Sequence, residues 1–158
     1  MKVEELYGNR VRVRVSGICI KDNKILLVNH SLHGSATSFW NPPGGGVQFG
    51  EKAIDALKRE FKEETGLKVE AGEMLFMNEF IQPPLHAIEI FFKIFSQEGA
   101  LETGADPEFS ENDQIIREVK FMDIKEVNEL PHECVHSILK QINSFDEILK
   151  LRGYISLN

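Results

Sequence analysis

Gly44-Gly45-Gly46-Val47-Gln48-Phe49-Gly50-Glu51, followed after seven residues by Arg59-Glu60-Phe61-Lys62-Glu63-Glu64-Thr65-Gly66-Leu67, is the stretch on which the fold of this chain turns. A run of glycines signals a turn or loop. After it the hydrophobic period changes. Ile54, Leu57 and Phe61 recur three and four apart, the spacing of one helix face. The pattern predicts a helix from about Glu51 to Thr65. Glu51 would sit in its first turn, where the macrodipole favours negative charge, and Gly66 would close it as a left-handed cap. On that helix Glu60, Glu63 and Glu64 fall within an arc of roughly 100° beside the apolar stripe. The stripe would dock on a sheet and leave the acids at its rim.

Three like charges so close repel by a few tenths of a kcal/mol per pair on an exposed helix. A cation turns that repulsion into attraction. Oxygen donors of this kind suit Mg²⁺ or Mn²⁺, with phosphates and waters completing the octahedron. Arg59, four residues before Glu63, is spaced to pair with it. Each piece also has a plain structural reading. Charged helix faces are ordinarily solvated, Glu51 is a helix-start charge, Gly66 is a cap, and Gly44, Gly45 and Gly46 make a turn.

Taken together, the spacing G-x5-E-x7-R-E-Φ-x-E-E-x-G-Φ (Φ apolar) resembles the signature box of the Nudix hydrolases at every fixed position from Gly45 to Leu67. Phe61 stands where an aliphatic residue is more usual. The fixed letters make a chance match on the order of one in a million. The resemblance implies an α/β fold, an α/β/α sandwich around a mixed sheet, with residues 1–158 forming a single domain. It implies a metal-dependent pyrophosphohydrolase acting on a small molecule, a nucleoside diphosphate linked to a moiety X. Glu60, Glu63 and Glu64 would then be metal ligands together with the Gly44 carbonyl, for Mg²⁺ or Mn²⁺. Glu51, Gly45 and Arg59 would support them, with Arg59 and Glu63 counted among the catalytic residues.

The family often adds one acid from a later loop, as a ligand or as the base for the attacking water. The acidic stretch 96–112 and its border offer Glu102, Asp106, Glu108, Glu111 and Asp113. Glu111, just before a strand, is favoured, with Glu108 second. Pro83 and Pro84, sixteen and seventeen residues past the box, resemble the ADP-ribose pyrophosphatase subgroup, although a rigid bend between strands would serve as well. House-cleaning of (d)NTPs is the competing activity. Some Nudix domains only sense nucleotides, but those usually lose the box glutamates, which this chain keeps. A homodimer is a further expectation by resemblance.

A length of 158 residues fits one domain with a sizeable core. The net charge of -7 disfavours a nucleic-acid polymer as partner. Two cysteines, Cys19 and Cys134, make no disulfide framework and read as buried small hydrophobes. No apolar run approaches the ~18 residues of a membrane span, and residues 1–8 carry no apolar signal segment, so the expected address is the cytoplasm.

Val11, Val13 and Val15 alternate with Arg10, Arg12 and Arg14, a strand pattern that continues to Ile20. Arg12 or Arg14 could hold a phosphate bidentately, against the alternative of a solvated strand face. Ile25 to Val28 pairs back as a hairpin, and 30–38 is a polar loop. Trp40 and Phe39 could stack on a base, but read better as core. Met74–Phe80, Ile88–Phe95 and Ile115–Met122 are further strands. Asp123 and Glu126 spell a capping box for a short helix. Pro131 opens another helix, to about Asn143, and Ser144 with Glu147 repeats the capping pattern before a last helix ending near Gly153.

That penultimate helix carries a rival motif. His132-Glu133-Cys134-Val135-His136 spells H-E-x-x-H, which on a helix would place two histidines on one face for Zn²⁺, with Glu133 as base and Glu147 as the sole plausible third ligand. Its three fixed letters match by chance far more often than the box does.

Overall fold

The computed structural model describes residues 3–31, 38–110 and 114–157. The valine–arginine alternation forms strand β1 (Arg10–Ile18). It pairs in parallel with β7 (Leu85–Glu98) and antiparallel with β5 (Gly44–Gly46). Strand β6 (Lys68–Gln82) runs antiparallel to β7, and β9 (Gly153–Ile155) lies parallel to β6. The result is a mixed five-stranded sheet in the order β5-β1-β7-β6-β9. A second sheet, antiparallel, gathers β2 (Ile20–Lys21), β4 (Ser38–Asn41) and β8 (Ile116–Met122) around β3 (Lys24–Ser31).

Successive strand residues face opposite ways, so each sheet face builds its own core. On one face helix α2 (Ala53–Thr65) buries Ala56, Leu57 and Phe61 against Val15, Leu26, Val69 and Phe92. Burying Leu57 and Phe61 contributes about 1.5–3 kcal/mol each. On the other face Phe76 and Phe91, opposite each other in register, stack with ring centroids 4.5 Å apart. They pack against Trp40, Val127 of α3 (Ile124–Glu129) and Ile148 of α4 (Asp146–Leu149). This is the helix–sheet–helix layering expected from the sequence, with Trp40 in the core. Helix α1 (Val3–Tyr7), five residues long, is too short to show a period and was not foreseen.

Several elements differ from expectation. The glycines are not a free turn: Gly44, Gly45 and Gly46 pair with Ser16, Val15 and Arg14 as an edge strand. A Cβ on Gly44 would collide with the Val15 carbonyl, so glycine is required for that approach. Strands β6 and β7 extend well beyond Met74–Phe80 and Ile88–Phe95, because register shifts at Ala71, Met74 and Phe76 break the alternation of the sequence. Helix α2 starts at Ala53, with Lys52 as a cap making no side-chain hydrogen bond. Gly66 does cap it, at φ 75°. The capping box of α3 is complete. That of α4 is not: Phe145 is the cap, and Glu147 accepts from the Asn143 amide at 3.0 Å.

The helix expected from Pro131 to Asn143 is absent. Two single 3₁₀ turns, His132–Cys134 and Ser137–Leu139, take its place. Between them Val135 is extended (φ -139°, ψ 142°) and bridges Trp40, while the His136 amide donates to the Trp40 carbonyl at 2.9 Å. Pairing with β4 overrides the helical period here. No described helix is long and apolar enough to cross a membrane.

Candidate active site

A cleft of about 320 Å³ opens over the glycine strand. Its near end is made by Gly44, Gly45 and Gly46 with Glu60, Glu63 and Glu64, and its far end by Tyr7, Arg12 and the Pro83–Pro84 turn. The apolar stripe of α2 fixes the rotation of that helix, which sends the three glutamates to the strand edge.

Arg59 is the hub of the near end. Its Nε and Nη2 donate to the two oxygens of Glu51 at 2.8 and 3.0 Å. Nη1 donates to Glu60 at 2.7 Å and to Glu63 at 3.2 Å, the pairing expected from the spacing. Nη2 also reaches the Gly46 carbonyl at 3.1 Å. The hydrogen bond from Arg59 holds the Glu51 carboxyl below its usual range, and Glu51 in turn raises the Arg59 guanidinium. Glu51 thus anchors Arg59 rather than opening the helix.

Glu64 is only 5% exposed and accepts from the Gly44 amide at 3.3 Å, while His30 Nε2 stands 3.6 Å away. Gly45 leaves room for Glu60, since a Cβ there would collide with that carboxylate. Burial and the charge of Glu64 push the Glu60 carboxyl up to about 7, and burial also raises Glu63. The near end therefore holds more negative charge than Arg59 neutralises.

That surplus, the all-oxygen donor set and the side-chain-free cradle fit a hard divalent cation. Among the described residues, no three His, Cys, Asp or Glu side chains are already gathered round one point. Glu60 and Glu63 instead share Arg59 Nη1 as their donor. Two further polar atoms are buried without a partner among the described residues, Asn41 Oδ1 and His30 Nδ1, and both residues line the cleft. No spacing in the sequence marked either one.

The acidic loop is tied to α2 by its backbone. The amides of Glu102, Gly104 and Ala105 donate to the carbonyls of Thr65, Glu64 and Glu63 at 2.9, 2.9 and 3.2 Å. They satisfy acceptors that a helix end leaves open. A Cβ on Gly104 would collide with the Glu63 carbonyl. Gln114 braces the segment, accepting from the Asp106 amide at 2.7 Å and donating to the Asp106 and Phe109 carbonyls. Asp106 and Glu108 consequently line the cleft. Glu108 is largely exposed at the rim, yet partial burial raises its carboxyl. Glu111 and Asp113 lie outside the described residues. Glu102 is exposed and does not line the cleft.

Arg14, Glu89 and Asn78 stand abreast on β1, β7 and β6. Glu89 is 3% exposed and accepts from Asn78 Nδ2 at 2.9 Å, with Arg14 Nη1 at 3.6 Å. His136 Nε2 lies 2.9 Å from Glu89, and its Nδ1 accepts from the Ile138 amide at 3.2 Å, so the ring proton is on Nε2 and is donated to Glu89. Burial opposes ionisation of Glu89, but His136, Arg14 and Asn78 outweigh it and hold the carboxyl at about 2. Arg14 is thereby fixed with its Nε buried and unpartnered, rather than lying on a solvated strand face. Arg12 is also half-buried and faces the cleft.

The H-E-x-x-H segment is therefore no zinc site. His132 and Glu133 are exposed, His136 is 6% exposed and committed to Glu89, and no helix puts the histidines on one face. Glu147 is engaged with Asn143. Phe39 lines the cleft 6.5 Å from the His136 ring and is not core, while Cys19 is buried and Cys134 partly so, both free.

A glycine strand beside an acidic helix, on a sandwich of this layering, is the architecture of a Nudix-type site. Residues 10–141 match the family model of the NUDIX domain, and the chain belongs to that family. It is 39% identical over 101 residues to an ADP-ribose pyrophosphatase of Methanocaldococcus jannaschii, covering 63% of this chain and 59% of that one. It is 37% identical over 86 residues to an m7GpppN-mRNA hydrolase of Xenopus laevis, covering 52% and 29%. The chain thus spans less than two thirds of the length of these relatives. Of solved structures, a MutT NUDIX hydrolase from Burkholderia pseudomallei shares the fold, with a TM-score of 0.64 and 21% identity over 79% of this chain and 93% of that one.

Proposed function

We propose that this chain is a metal-dependent pyrophosphohydrolase cleaving a nucleoside diphosphate linked to a moiety X, with ADP-ribose the first substrate to try. The observation that carries the reading is the Arg59 hub, which assembles Glu51, Glu60 and Glu63 beside the glycine strand. The name of the M. jannaschii relative and the Pro83–Pro84 turn in the cleft support the choice of X.

Anhydride hydrolysis needs position and charge neutralisation more than covalent help from the protein. Glu60, Glu63, Glu64 and the Gly44 carbonyl would hold a divalent ion, Mg²⁺ or Mn²⁺, which when bound neutralises the diphosphate and acidifies water. Arg59, held by Glu51, keeps the acids in place, and Gly45 leaves them room. Arg12 and Arg14 take phosphate oxygens. Glu108 accepts the proton of the attacking water, a role its raised carboxyl suits. The water oxygen bonds to one phosphorus as the bridging P–O bond breaks, giving AMP and ribose 5-phosphate from ADP-ribose. The proposal takes residues 1–158 as one cytoplasmic unit that pairs as a homodimer, which light scattering reads.

The test is a panel of ADP-ribose, dNTPs and capped RNA, with and without Mg²⁺, followed by product analysis. AMP from ADP-ribose in Mg²⁺ alone supports the proposal. Pyrophosphate from a dNTP moves the activity to house-cleaning, and binding without turnover makes the domain a sensor.

A further inference from the structure

Helix α1 precedes residues 10–141, the part of the chain matched to the family, yet it helps to wall the cleft. The turn after it is tight. The Gly8 amide closes onto the Glu4 carbonyl at 2.8 Å, and a Cβ on Gly8 would collide there. Asn9 adopts φ 56°, a left-handed conformation that asparagine tolerates. Its amide then donates to the Pro84 carbonyl at 2.8 Å. The helix is thus folded back across the start of β1 and pinned to the tip of the β6–β7 hairpin.

What this fold-back delivers is Tyr7. Its ring lies under the guanidinium of Arg12, with Cζ 3.7 Å from the ring centroid. The ring quadrupole attracts the cation and restrains it over the ring face. Among the described residues Arg12 makes no hydrogen bond or ion pair. Burial and its neighbours Arg14 and Arg10 lower it to about 10 against the opposing pull of Glu60 and Asp106, so it stays charged at neutral pH. On its far side Arg12 reaches the glycine strand, where a Cβ on Gly46 would stand 3.0 Å from Nη2. Gly46 is the residue whose carbonyl receives Arg59. A planar cation with an open donor edge is therefore suspended between Tyr7 and the acidic end of the cleft.

We infer that Tyr7 is a positioning residue, stacking Arg12 so that its open edge takes an oxygen of the nucleoside diphosphate, and that α1 is a binding element of this site. The inference rests on the reading of the cleft as a diphosphate site, but it concerns binding and not turnover. It makes Tyr7 act through its ring and through Arg12, so the hydroxyl is dispensable and the effect vanishes where Arg12 is gone.

The experiment titrates α,β-methylene-ADP calorimetrically in Mg²⁺ against wild type, Tyr7→Phe, Tyr7→Ala, Arg12→Ala and the double variant Tyr7→Ala/Arg12→Ala. Tyr7→Phe should bind within about twofold of wild type. Tyr7→Ala should weaken binding about 5- to 10-fold, Arg12→Ala by at least as much, and the double variant should equal Arg12→Ala within about twofold. Should Tyr7→Ala fail to fold, Arg12→Lys, which keeps charge and loses the plane, should weaken binding to a similar degree. An unchanged Tyr7→Ala, or a Tyr7 effect that persists in full without Arg12, overturns the inference. Wild type that fails to bind the analogue overturns it as well. Wild type that binds the analogue normally yet releases no AMP from ADP-ribose overturns the hydrolase reading and leaves this one standing.

Discussion

Arg59 grips Glu51 with two parallel hydrogen bonds, Nε to one carboxylate oxygen at 2.8 Å and Nη2 to the other at 3.0 Å. Bidentate pairs of this kind fix direction as well as distance. With two donors so occupied, Nη1 is aimed at Glu60 and Glu63. Glu51→Gln keeps the shape and loses the charge. Turnover of the best substrate should fall about 10- to 100-fold, as for residues that orient ligands at one remove, with the melting temperature almost unmoved. Unchanged turnover would remove Arg59 from its place as hub.

Glu64→Gln should lower turnover at least about 100-fold. The amide still fits the site and can accept from Gly44, so circular dichroism should report a folded protein. Activity within a few-fold of wild type would take Glu64 out of the proposed ligand set.

Glu133 and His136 belong to the same motif but should behave oppositely. Glu133→Gln, at an exposed position, should be silent. His136→Ala leaves the buried Glu89 short of a donor and should lower unfolding free energy by about 1–3 kcal/mol in urea titrations. Added Zn²⁺ should not restore it. Loss of activity in Glu133→Gln would revive the zinc reading.

Acid stability should carry the signature of Glu89. Its carboxyl lies at about 2 in the folded protein against 4.5 for the free group. The unfolded chain binds that proton more readily, so the contribution is present above about pH 4.5 and is lost as pH falls towards 2. Glu89→Gln is less stable near neutrality but should lose less over that interval. Parallel curves for the two proteins would show that Glu89 is not the group responsible.

Gly104→Ala places a methyl against the Glu63 carbonyl. The loop should detach at a cost of about 1–3 kcal/mol, seen as faster amide exchange at Gly104 and Ala105. Unchanged exchange would mean that the loop accommodates the methyl.

Glu60, Glu63 and Arg59 were legible because helical spacing is set by the chain alone, and the box fixes their order. The role of Glu51 was half legible: its place beside the helix start was clear, but not its bond to Arg59, which needs the loop 46–50 to fold back. Glu89 and Asn78 could not be found, and Arg14 was singled out for a phosphate but not for its place beside Glu89. Strand register brings them abreast, and register is a property of the pairing rather than of any single strand. His136 was found for the wrong reason. Its motif presumed a helix that the contact with Trp40 prevents. Tyr7 depends on a single tight turn, Gly8-Asn9, for which composition gives only a faint signal.

The rim segment 102–105 is laced to α2 by main-chain amides alone. Its hydrogen bonds to α2 come from the backbone, so they ask little of side-chain identity except at Gly104, which leaves no room for a Cβ. This border just outside the cleft, whose lining from this loop begins at Asp106, can thus change while the acids of α2 stay where they are. Sequence drift along this border is therefore uncoupled from the foundation it is sewn to.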